Sequence, residues 1–78
     1  MPHISIKHFP RHLDADAQQT MAQNLTRIIC SALECPPNVV SIAMEPVAEA
    51  QWQQAVVDPE IMAKRASLIQ FPNYEQGK

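Results

Sequence analysis

Glycine is almost missing from this 78-residue chain, whose one residue of that type is Gly77. Loops that cradle phosphates, of the P-loop or dinucleotide kind, need several glycines at fixed offsets, so composition excludes that chemistry. Long apolar runs are missing too. No segment approaches the roughly 18 consecutive apolar residues of a membrane span, and the first thirty residues hold no apolar block of signal-peptide length. A cytoplasmic protein with no membrane partner is the expectation. Positive charge is scarce, with six Lys and Arg against eight Asp and Glu, a net charge of −2 and no basic run longer than Lys64-Arg65. That balance argues against a nucleic-acid partner. Cysteine is limited to Cys30 and Cys35, which a reducing compartment keeps as thiols. With His3, His8 and His12 at no useful spacing from them, no metal site is expected.

What remains is an ordinary soluble composition, 46% hydrophobic and 18% charged. Such a chain should fold as one domain, residues 1–78, with no internal repeat or linker. Chains of this size bury only about 60–65% of the surface they expose when unfolded, so self-association is expected as a remedy for a thin core. Ile4 and Ile6 alternate with Ser5 and Lys7, which predicts a strand over residues 3–8 that Phe9-Pro10 stops. Asp14 is placed to cap a helix that Asp16 supports in its first turn. From Ala15 to Leu33 there is no Gly or Pro, and Ala17, Met21, Leu25, Ile28, Ile29 and Ala32 recur at steps of three and four.

Cys35-Pro36-Pro37-Asn38 should end that helix, and Val39 to Met44 reads as a second, largely buried strand. Strand, long helix and strand imply a parallel pair with a right-handed crossover. The fold class is α+β, a β-α-β protomer. Two strands leave two open edges, so a second copy giving a four-stranded sheet with helices on one face is expected. The last third, from Glu45-Pro46, predicts a short helix over Ala48 to Val57. Asp58-Pro59-Glu60 predicts a restart running to about Leu68, with Met62, Ala66 and Ile69 on one face. Phe71 to Tyr74 reads as a turn, and 75–78 as a frayed end.

The chemistry starts at Pro2. A small residue behind the initiator favours removal of Met1, and the chain would then begin with a free secondary amine. An α-amine titrates near 7.7–8.0, and an apolar pocket with a neighbouring cation lowers that value, leaving a base at neutral pH. Arg11 follows the same strand and supplies a guanidinium for a carboxylate or enolate oxygen, either by folding back or from a neighbouring protomer. Trp52 offers an aromatic wall. Together they describe proton transfer next to a carbonyl. Each residue also has a plain use: Pro2 ends an edge strand, Arg11 is a solvated cation, and Trp52 is a core or interface aromatic.

Met1-Pro2, the opening strand, Arg11 ahead of a helix led by Leu13-Asp14, the turn Cys35-Pro36-Pro37-Asn38-Val39-Val40-Ser41-Ile42, and Trp52 together resemble the 4-oxalocrotonate tautomerase family. Pro72-Asn73-Tyr74 is similar to a late motif of its slightly longer, PptA-type members. The likeness spans nearly the whole chain. It implies dimers sharing a four-stranded sheet and cofactor-free keto–enol tautomerisation by the mature proline. On the same ground Arg11 would hold the substrate carboxylate, with a one-residue shift against the type member, and Trp52 would fill the pocket's aromatic place. Ser41 stands where the type member has a second arginine. The resemblance therefore implies a small carboxylated substrate with an apolar or aromatic tail, phenylpyruvate-like, rather than a dicarboxylate. The glycine-rich tail that helps type members form hexamers is missing, which favours a homodimer. Two other readings stay open: a dehalogenase or hydratase of unsaturated acids on the same fold, and a non-catalytic oligomeric binding module that retains Met1.

Overall fold

The computed structural model describes residues 1–74, and the expected frayed end at 75–78 lies outside the described residues. Two compact units divide the chain, Met1–Ala48 and a second that begins at Glu49.

The first unit is β1 (His3–His8), α1 (Ala15–Leu33) and β2 (Ser41–Pro46), with a 3-10 turn over Pro37–Val39. The β1 and α1 boundaries are those the sequence predicts. Asp14 caps α1 by accepting from the Ala17 N–H at 2.7 Å, and Asp16 lies in the first turn. The helix ends one residue before the Cys-Pro-Pro run, because Glu34 takes a left-handed conformation (φ 54) and the Cys35 N–H turns back to the Cys30 carbonyl at 3.2 Å. Half-buried positions on α1 include Met21, Leu25 and Ile29. The expected stripe is narrower in fact. Ala17, Ile28 and Ala32 are exposed, Ile28 by 59%, because they fall on a neighbouring strip of the helix that this protomer leaves uncovered.

The strands pair in parallel, with register His3↔Ser41, Ile4↔Ile42, Ser5↔Ala43, Ile6↔Met44, Lys7↔Glu45 and His8↔Pro46. The second strand is shifted by two residues from its expected span of Val39 to Met44. Pro36 and Pro37 draw Val39 and Val40 into a turn closed by two N–H bonds of 3.3 Å, so pairing starts at Ser41. The strand continues through Pro46 because the bonds to β1 come from Ser41 N–H to the Pro2 carbonyl (3.2 Å) and from Val47 N–H to the His8 carbonyl (2.8 Å). Donors to β1 are thus the odd residues of β2, and the Pro46 nitrogen points to the other edge, where no ladder bond is lost.

The same alternation sorts the two faces and the two edges. One face carries Ile4, Ile6 and His8 beside Ile42, Met44 and Pro46; the other carries His3, Ser5 and Lys7 beside Ser41, Ala43 and Glu45. On the second face polar pairs bridge the strands, His3 Nδ1 to Ser41 Oγ at 2.6 Å and the Ser5 hydroxyl to the Glu45 carboxylate. The main-chain groups of Ile4, Ile6 and His8 turn toward β2. Those of His3, Ser5 and Lys7 therefore face the open edge of β1 without a proline among them.

In the second unit the expected restart at Asp58-Pro59 does not occur. A 3-10 turn over Glu49–Gln51 leads into one wide helix over Gln53–Met62 with Pro59 inside it. Its turns close from residue i to i+5, as in the Ala63 N–H to Asp58 carbonyl bond of 3.0 Å. The wider turn gives room for the pyrrolidine ring, which in an α-helix collides with the carbonyl four residues back. Asp58 is used backward: its carboxylate accepts from the Gln53 amide at 2.8 Å instead of capping a new helix. Met62, Ala66 and Ile69 share no helical face, since Met62 ends the wide helix, Ala66 lies in the Arg65–Ser67 turn and Ile69 is fully exposed. Among the described residues Val56 alone is fully buried, at 6% exposure. No helix among the described residues is long and apolar enough to cross a membrane.

Candidate active site

Pro2 stands at the head of β1, half-buried, its carbonyl held by the Ser41 N–H. Met1 beyond it is fully exposed, so its loss costs no packing. Ser41 is therefore beside Pro2 through the main chain. Its side chain lies on the opposite face from Ile4, with its hydroxyl engaged by the His3 ring.

Arg11 lies elsewhere. It lines a hollow of about 260 Å³ with His8, His12, Leu13, Gln18, Met44 and Pro46, at the C-terminal ends of both strands. Parallel pairing sends the two N-terminal ends one way and the two C-terminal ends the other. Six residues at about 3.3 Å each separate Pro2 from His8 by about 20 Å. Within one protomer, then, Pro2 and Arg11 are not brought together. Gln18 reaches the hollow from α1, and its side-chain amide donates to the carbonyl of Leu13, ahead of the helix, at 3.1 Å. This places α1 over the face that bears Met44 and His8.

Sequence reasoning set His8 aside, yet it lines the Arg11 hollow, and its Nδ1 lies 2.7 Å from the Phe9 carbonyl oxygen. The alternation of Ile4, Ile6 and His8 held the signal, because it puts His8 on the apolar face. Trp52 belongs to the second unit, where its indole N–H donates to the Tyr74 hydroxyl at 3.2 Å, and the Arg65 guanidinium sits 5.9 Å from the Phe71 ring centre.

A larger open depression of about 520 Å³ along α1, lined by Ala22, Gln23, Thr26, Arg27, Cys30 and Pro37, is mostly apolar. Its one nucleophile is Cys30, a free thiol 4.0 Å from the Cys35 sulfur. Desolvation first, and then the Cys35 thiol beside it, push the Cys30 thiol up, which favours its protonated form. Among the described residues no group of three or more His, Cys, Asp or Glu could hold a metal ion.

A small β-α-β protomer with a proline at the head of its first strand and an arginine beyond the strand's far end is the arrangement of a tautomerase, an isomerase. No protein-family model matches the chain. Full-length relatives do. Tautomerase PptA of Cronobacter sakazakii is 40% identical over 75 residues, covering 96% of this chain and 99% of the relative. Tautomerase PptA of Escherichia coli K12 is 38% identical over 77 residues, 99% of each chain. The chain belongs to the 4-oxalocrotonate tautomerase family, as a member of the PptA type.

Proposed function

We propose that this tautomerase interconverts the keto and enol forms of a small, phenylpyruvate-like 2-oxo acid in the cytoplasm, without a cofactor. The Pro2 ring nitrogen, freed by loss of Met1, is its general base. The observation that carries the reading is the strand register, which puts the base at one end of β1 and the guanidinium hollow at the other. One chain has both halves of a site and joins neither. A two-fold copy joins them. The open edge of β1 presents His3, Ser5 and Lys7, and antiparallel pairing about the middle one, Ser5, sets His3 against the partner's Lys7 and Pro2 against the partner's His8. The open edge of β2 is a poorer partner because Pro46 offers it no N–H.

In this homodimer Pro2 takes a proton from the carbon next to the substrate carbonyl. Arg11 of the partner subunit holds the carboxylate by a charge-assisted bond and steadies the oxygen as it gains charge. Ser41, where a second cation would stand, adjoins Pro2 through the main chain while its hydroxyl lies on the other face of the sheet.

The test has two parts. Intact mass of untagged protein should be lower than the full sequence by one methionine, and Pro2→Ala should slow ketonisation of phenylpyruvate enol, followed by ultraviolet absorbance, by about 10²–10⁴-fold. A retained Met1, or a Pro2→Ala variant of undiminished rate, would overturn the reading. Faster turnover of a 3-haloacrylate than of the enol would move the chemistry to dehalogenation on the same fold.

A further inference from the structure

We infer that His8 is the proton carrier on the oxygen side of this site, serving the partner's Pro2; the inference rests on the dimer and the proline base proposed above. A keto–enol interconversion moves two protons, one at carbon and one at oxygen, and the proline accounts for the first. The ring of His8 is set up for the second. Its Nδ1 lies 2.7 Å from the Phe9 carbonyl oxygen. A carbonyl only accepts, so Nδ1 carries its proton in both charge states of the ring, and proton exchange is confined to Nε2.

Position agrees with that assignment. His8 lines the Arg11 hollow, on the face of the sheet that Ile4 and Ile6 define, and residues opposite one another in an antiparallel pair share a face with Cβ atoms about 5 Å apart. Pro2, an even residue like His8, presents its ring to that same face. The charged or titratable groups facing His8 in the hollow are Arg11 and His12, from the segment after β1; α1 contributes the neutral Gln18, and β2 contributes Met44 and Pro46, which carry no charge.

In the direction from keto to enol, neutral Pro2 takes the carbon-bound proton, and the freed C–H electron pair becomes the C=C bond. The carbonyl π pair moves to oxygen, which takes the Nε2 proton of a doubly protonated His8. Pro2 is left as the ammonium and His8 as the neutral Nδ1–H tautomer, and solvent carries one proton from the first to the second. The reaction is redox-neutral and runs backward through the same two groups.

The experiment compares His8→Asn, whose amide can reproduce the Nδ1 contact but has no titrating nitrogen, with His8→Gln and with wild type, using phenylpyruvate from about pH 5 to pH 9. The expected result is a fall in kcat of about 10²-fold for both His8 variants, with KM little changed because Arg11 still holds the carboxylate, and the loss of one ionisation from the pH profile of kcat. A His8→Asn profile that retains every wild-type ionisation, or a loss confined to KM in both His8 variants, would overturn the role. Pro2→Ala run alongside separates the two ideas. If Pro2→Ala is fully active the tautomerase mechanism itself fails, whereas an inactive Pro2→Ala beside an unchanged His8→Asn profile removes His8 alone.

Discussion

Mixing two impaired variants tests the proposed shared site directly. Pro2→Ala removes the base, at a cost of about 10²–10⁴-fold. Arg11→Ala removes a charge-assisted bond worth about 1.5–3 kcal/mol, or roughly 10–150-fold in kcat/KM. Strand length separates Pro2 from His8, at the Arg11 hollow, by about 20 Å within a chain, so each site should draw its proline from one protomer and its arginine from the other. If the variants are unfolded together in equal amounts and refolded, a site receives an intact Pro2 about half the time and, independently, an intact Arg11 about half the time. About a quarter of all sites are then whole, and the mixture should recover about 25% of wild-type activity. That fraction holds for a dimer and for any larger ring, since each site samples two chains. If Pro2 and Arg11 acted from the same chain, no whole site could form. The mixture would then stay at or below about 5%, half the residual rate of Arg11→Ala at the mild end of its range. The assay is ketonisation of phenylpyruvate enol after refolding, with wild type refolded in parallel as the reference. Recovery no greater than the average of the two separate variants would refute the argument from register.

Three further outcomes follow from single contacts. Asp14→Ala deletes the cap that holds the Ala17 N–H, and should cost about 1 kcal/mol and lower Tm by about 4–8 °C in thermal unfolding followed by circular dichroism. Cys30, held protonated by desolvation and by Cys35, should react with iodoacetamide more slowly in the folded protein than in urea. A thiol whose proton is held more tightly in the fold adds stability below the ordinary thiol range that is lost as pH rises through it, so Cys30→Ala should flatten the alkaline decline of the urea midpoint.

The first unit was legible because its signals are local and agree with one another. Asp14 has no competing partner and caps as its position suggests, Phe9-Pro10 stops β1, and a stretch without Gly or Pro from Ala15 to Leu33 is helical throughout. The second strand was misplaced by two residues because β-branched Val39 and Val40 read as strand, while the proline pair ahead of them dictates a turn. In the last third the same two residues, Asp58 and Pro59, fit two geometries. A cap followed by a first-turn proline and a wide helix with an internal proline look alike in sequence, and what decides between them is the bond from the Gln53 amide to Asp58, five residues apart. No α-helical periodicity signals that spacing.

The site was half legible for a different reason. Residue types nominate Pro2 as the proposed base and Arg11 as the proposed anion holder, but whether they meet depends on strand direction, which only pairing reveals. A parallel pair forces the two ends of β1 apart, and an antiparallel copy brings one end to the other. The catalytic pocket is therefore proposed as a property of the open β1 edge, toward which the main-chain groups of His3, Ser5 and Lys7 turn. This also explains why His8 escaped notice as a lone histidine. Its neighbours in sequence point to nothing beyond the Phe9 carbonyl, whereas the proposed two-fold pairing about Ser5 would set it across from the partner's Pro2. Lys7→Pro would test that edge, since it deletes a donor to the partner strand while leaving the β1·β2 ladder intact. Sedimentation should show a shift to monomer, and the enol assay should show activity lost with it. A variant that stayed dimeric and active would mean that the copies meet through another surface.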